Sequence, residues 1–130
     1  MFRWFRKTAP PPLTGAPVVQ RRKTYSAASG YVYQYHYAGY RPLDQGTEYV
    51  FSVSADRKTS FDISVIVQAE ALESWQRERQ RELTAAERYG IAKMALFQAF
   101  DERETPEQMR EQVAVRPADA AQILSTLGLD

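Results

Sequence analysis

Five of the chain's eight tyrosines fall between positions 31 and 40, and Tyr31, Tyr33, Tyr35 and Tyr37 alternate strictly with other residues. Side chains two apart share one face of a β-strand, whereas on a helix they lie about 200° apart around the axis. The spacing therefore predicts a strand over about 31–40, with a ladder of rings on one face. The strand is expected to stop before Pro42, which has no N–H to give a ladder. Rings that bury area while offering hydroxyls suit contact rather than bond breaking.

The pattern continues downstream. Tyr49, Phe51, Val53 and Ala55 alternate with Glu48, Val50, Ser52 and Ser54. After a turn at 56–59, Phe61, Ile63, Val65 and Val67 alternate with Asp62, Ser64, Ile66 and Gln68. Successive strands with one apolar and one mostly polar face describe an antiparallel meander packed on one side. Residues 18–25 form a further candidate strand, turning through Ser26–Gly30.

From Ala69 the period changes. Leu72 and Trp75 share a helical face, predicting a helix over about 70–82 whose second half is solvated. Thr84-Ala85-Ala86-Glu87 is a capping box, in which hydroxyl and carboxylate each satisfy a free backbone N–H. The helix it opens spans about 85–102. Tyr89, Ala92, Leu96, Ala99 and Phe100 form one stripe, while Ile91, Met94, Ala95 and Phe97 cover its flanks. A helix apolar nearly all round is buried nearly all round. One side should face the sheet, and the other the C-terminal segment or another chain. Thr105-Pro106 starts another helical turn, Val113 and Val115 bracket a short strand, and Pro117 opens a last helix closed by Gly128. Strands first and helices after give an α+β fold: an antiparallel three- to four-stranded meander followed by two to three helices packed on one face.

At 130 residues, 44% hydrophobic and 25% charged, the chain has the size and composition of one globular domain. The absence of cysteine excludes disulfides, a thiolate nucleophile and thiolate metal ligands. A single histidine, His36, would leave zinc to carboxylates alone, so neither metal nor cofactor is expected. No apolar run is long enough to span a membrane, and Met1–Lys7 has no apolar h-region behind it. These features predict a soluble cytoplasmic protein of bacterial type. The net charge of +1 conceals an asymmetry. Residues 1–24 hold six basic residues, no acid and four of the seven prolines, whereas residues 25–130 hold eleven basic and sixteen acidic residues. The division is thus a basic, proline-rich arm over 1–24 and a single α+β domain over 25–130. Such an arm folds back on its own domain or a neighbouring copy, or reaches for a polyanion.

Residues able to carry chemistry are few. His36 lies on the strand face opposite the rings, with no local carboxylate or hydroxyl to make it a general base. Acids such as Glu78 and Glu82 sit among arginines on solvated helix faces. Asp101-Glu102-Arg103-Glu104 closes a helix at its negative end and offers an acidic cluster to a cation or basic partner. Phosphate loops, serine elbows and paired-histidine zinc motifs are absent, so no catalytic residue is nominated. The candidate contact residues are Tyr31, Tyr33, Tyr35 and Tyr37 on the strand, with Arg21, Arg22 and Lys23 in the arm. The ladder either faces the helices as core or turns away as an exposed aromatic stripe. The expected function is a non-enzymatic interaction or assembly module, a self-associating homo-oligomer or the ligand of a protein partner. The alternative is a single-stranded nucleic-acid binder, with bases stacked on the rings and the arm on phosphates. A small-molecule pocket, or an enzyme of unrecognised type, between sheet and helices is the third reading.

Overall fold

A computed structural model describes residues 11–129. The strands β1 (Lys23–Ser26), β2 (Val32–Leu43), β3 (Gly46–Ser54) and β4 (Phe61–Gln68) form an antiparallel meander, neighbours in sequence being neighbours in space. A fifth strand, β5 (Val113–Val115), joins the far edge parallel to β4. Parallel neighbours need a long crossover. Here it consists of α1 (Ala69–Arg79), α2 (Ala85–Glu102) and the single turn α3 (Pro106–Met109), and α4 (Pro117–Thr126) follows β5. The fold is α+β, as the order of periodicities predicts. Tyr33, Tyr35, Phe51, Val53, Ile63 and Val65 line the apolar face of the sheet, and all six are buried in one core with the helices.

Two strand boundaries differ from the sequence reading. β2 runs through Pro42 to Leu43, pairing Pro42 with Thr47. Tyr40 donates its N–H to the Thr14 carbonyl at 2.8 Å and accepts from the Thr14 N–H at 2.9 Å, so its backbone groups point away from β3. Pro42, two residues on, has the same orientation. Its missing N–H therefore falls on the outer edge, where the ladder to β3 loses nothing. The second difference is β1, which pairs only Lys23–Ser26 with residues 32–35 rather than spanning 18–25. The β2 register slips between Tyr37 and Gly39, leaving Ala38 as a bulge that interrupts the edge residues 18–22 would need. Gly39 takes φ 126° there, and a Cβ on it would sit 2.8 Å from the Thr14 carbonyl oxygen.

The helices obey their end signals. α1 stops at Arg79, short of 82, because Gln80 turns into the left-handed region at φ 52°. α2 opens at its capping box: Thr84 Oγ1 accepts the Glu87 N–H at 3.1 Å, and the Glu87 carboxylate accepts the Thr84 N–H at 2.9 Å. Its apolar surplus is covered within the chain. Ile91, Ala92, Ala95, Leu96, Ala99 and Phe100 are buried together with Val113 and Val115 of β5 and Ala120, Ile123 and Leu124 of α4. Trp75 locks α1 to the C-terminal end by donating its indole N–H to the Leu129 carbonyl at 2.9 Å. The C-terminal segment, one of the two covers the sequence allows for α2, packs on it, and Tyr89, Met94 and Phe97 stay half-buried. Among the described residues no helix is long and apolar enough to cross a membrane.

Candidate functional site

The tyrosine ladder faces the helices. Tyr33 is 0% exposed and Tyr35 5%. The Tyr33 ring stacks on Phe100 with centroids 4.5 Å apart, Tyr35 meets Phe97 edge-on at 5.6 Å, and Tyr37 meets Tyr89 at 4.7 Å. Each such pair is worth about 0.5–1.5 kcal/mol beyond the area it buries. Tyr33 and Tyr35, nominated from sequence for partner contact, are core residues instead, because α2 brings Phe97 and Phe100 down onto the same sheet face as Phe51 and Val53. Tyr31 precedes β2 and is 41% exposed, while Tyr37 is half-buried at one end of the ladder. Burial pushes the pKa values of Tyr33, Tyr35 and Tyr37 upward, so these phenols stay neutral.

The arm residues Arg21, Arg22 and Lys23 are exposed and, among the described residues, have no carboxylate within ion-pair distance. Arg3, Arg6 and Lys7 lie outside the described residues. Beside the three cations Val18 is fully exposed and Val19 67% exposed. Lys93 of α2 joins the same basic end: burial, and then the adjacent Lys23 ammonium, hold its amine below the usual lysine value. The opposite end of β1 is acidic. Asp101 accepts the Tyr25 hydroxyl at 2.7 Å and the Ala28 N–H at 2.9 Å, with exposed Glu102 and Glu104 following it. Burial first, and then that bond to Asp101, push Tyr25 up to about 12. The edge of β1, which has no strand partner among the described residues, therefore has the cations of 21–23 near its start and the Asp101 carboxylate near its end.

The acidic cluster at the end of α2 thus has structural duties. Asp101 ties the β1–β2 turn to the helix. Arg103 donates to the carbonyls of Gln108, Glu111 and Gln112 at 3.2, 2.6 and 3.0 Å, closing the α3 loop. Among the described residues no three His, Asp or Glu side chains gather to hold a metal ion. His36 is half-buried on the sheet face away from the helices.

A cleft of about 500 Å³ opens where the β2–β3 hairpin meets the first turns of α2. Its walls are Tyr37 and Tyr40 of β2, Tyr49 of β3, and Arg88 and Tyr89 of α2, with Gly15 of the arm at the rim. Four rings from three elements converge there, and only Tyr37 belongs to the set nominated from sequence. The others escape sequence analysis because no local spacing connects Tyr40, Tyr49 and Tyr89. The capping box, which sets where α2 begins, is the one local signal that places Arg88 and Tyr89. No family model matches this chain, and no curated protein or solved structure matches it either.

Proposed function

We propose that the chain is a non-enzymatic assembly module that pairs with a second copy along the free edge of β1. The observation that carries this reading is the charge gradient on that edge. Arg21, Arg22 and Lys23, without a carboxylate in ion-pair distance among the described residues, stand at one end, and Asp101, bonded to Tyr25 and Ala28, at the other. A two-fold axis across the strand would set each basic end against the partner's acidic end, the self-complementarity that an isologous dimer needs. Exposed Val18 and Val19 supply apolar contact beside the cations. The Lys23–Lys93 pair adds a like-charge repulsion that an incoming carboxylate would relieve. Surplus apolar surface on α2 no longer supports self-association, since α4 and β5 cover it.

The experiment is amide hydrogen exchange as a function of protein concentration. Protection should rise selectively over residues 18–28 as concentration increases, and Arg21→Glu with Arg22→Glu should abolish the rise. Exchange over this segment that is independent of concentration removes the proposal.

Nucleic acid is the second reading, favoured by the same cations but deprived of Tyr33 and Tyr35 as stacking rings. If the arm neutralises six phosphates, single-strand affinity should fall with a log–log salt slope near about −4. A flat response at low ionic strength excludes it.

A further inference from the structure

The cleft at the hairpin end carries a second, independent inference. Its lining contains one cation, Arg88, and no carboxylate. Arg88 uses Nη2 on Gln76 Oε1 at 3.2 Å and faces Glu82 at 3.8 Å, while its Nε is buried without an acceptor. Tyr49 is 6% exposed and lines the cleft. Among the described residues the hydroxyls of Tyr37, Tyr40, Tyr49 and Tyr89 have no hydrogen-bond partner, whereas that of Tyr25 does. Burial pushes Tyr37, Tyr49 and Tyr89 up, with Arg88 pulling Tyr49 partly back, so the hydroxyls remain neutral donors. Of these donors the Arg88 Nε is the buried one without an acceptor, an energetic penalty that a bound acceptor removes.

We propose that this cleft binds a small planar aromatic molecule bearing a single carboxylate, its ring among the tyrosines and its carboxylate on Arg88 and the phenol hydroxyls. The rings favour a flat π-system over an aliphatic chain. Arg88 is the one cation of the lining, and its neighbour Glu82 is largely exposed at 3.8 Å, which favours a ligand of one negative charge; the planar guanidinium matches a carboxylate. A dianionic phosphate would meet half the positive charge it needs. The volume lies within the range of small-molecule sites, about 300–1,000 Å³. Gly15, at φ 80°, keeps the rim open: a Cβ there would approach Tyr40 Cε1 to 2.7 Å.

Titration calorimetry on the full chain tests this with 2-naphthoate and benzoate as probes, benzamide as the neutral isostere and cyclohexanecarboxylate as the non-aromatic anion. The aromatic carboxylates should bind saturably, benzamide about tenfold or more weakly for want of the charge-assisted hydrogen bond, and cyclohexanecarboxylate about threefold or more weakly for want of ring stacking. Arg88→Met should weaken benzoate about tenfold while leaving benzamide unchanged. Because Arg88 also touches Gln76, Gly15→Ala serves as the second variant: it lies in the exposed arm and acts by displacing Tyr40, so it should weaken both aromatic carboxylates. No saturable binding at millimolar probe, equal affinity for benzoate and benzamide, or wild-type affinity in Gly15→Ala would each overturn the proposal.

Discussion

Replacing Tyr33 with phenylalanine should stabilise this protein, although it removes a polar group from the centre of the tyrosine ladder. The Tyr33 ring is wholly buried and stacked on Phe100 at 4.5 Å, and its hydroxyl has no partner. Phenylalanine keeps the ring and the stack. What disappears is a desolvated donor, whose burial costs about 1–3 kcal/mol. Against this stands the small void left by one oxygen, below the methyl-sized cavity that costs about 1 kcal/mol. The net expectation is a gain of about 0.5–2 kcal/mol. Urea unfolding measures it as a raised midpoint at unchanged slope, the mark of a stability change without a change in the denatured state. Tyr35→Phe is the control, because the Tyr35 hydroxyl is not among the enclosed, unpartnered atoms. It should move stability by no more than about 0.5 kcal/mol. A loss above about 0.5 kcal/mol in Tyr33→Phe would mean that the hydroxyl is bonded and that the packing of α2 on the ladder is misdescribed.

Leu96→Ala, at a fully buried position of α2, should cost about 2–5 kcal/mol, with Phe97→Ala at the lower end because that ring is half-buried. A loss under about 0.5 kcal/mol at both sites in urea melts would place α2 outside the core. Thr84→Ala should cost about 0.5–2 kcal/mol by removing the cap. The Arg81 guanidinium, and then the Thr84 N–H, hold Glu87 down at about 2, below its ordinary 4.5. A depressed folded pKa contributes stability above the unfolded value that is lost as pH falls through the folded one, so thermal melts should decline from about pH 4.5 toward pH 2, less steeply in Glu87→Gln. At the alkaline end the sign reverses. Tyr25 is raised from 10.0 to about 12, so its contribution is complete below pH 10 and disappears as pH rises through about 12. Melting temperatures followed across that window should fall, and the fall should be shallower in Tyr25→Phe.

What the sequence makes legible is whatever a few adjacent residues determine. The start of α2 can be read because its cap lies within four residues, and its burial because residues 89–100 are almost unbroken in apolarity. The strand through Tyr33 and Tyr35 is equally plain. The direction its rings face is not, since that depends on Phe97 and Phe100 more than sixty positions away. Pro42 misleads for a related reason: whether a missing N–H ends a strand depends on which neighbour that N–H would have served, and Thr14 reveals this only in three dimensions. β5 has three residues and pairs with a strand three helices earlier, so no local signal gives its parallel sense. The basic arm is visible as composition, yet the acidic end of β1 emerges only when Asp101 folds against Tyr25 and Ala28. Arg88, Tyr40 and Tyr49 are brought together by three separate elements, and no spacing announces their cleft.

Edge-to-edge pairing of two antiparallel β1 strands should show itself in sedimentation equilibrium of the full chain at two ionic strengths. Exposed charges interact over about 10 Å at 0.1 M salt and about 3 Å at 1 M. In dilute salt at micromolar concentration the mass should be twice that of the 14.9 kDa chain, and near 1 M salt it should fall toward one chain. A 14.9 kDa species in dilute salt at every concentration would rule out pairing along β1.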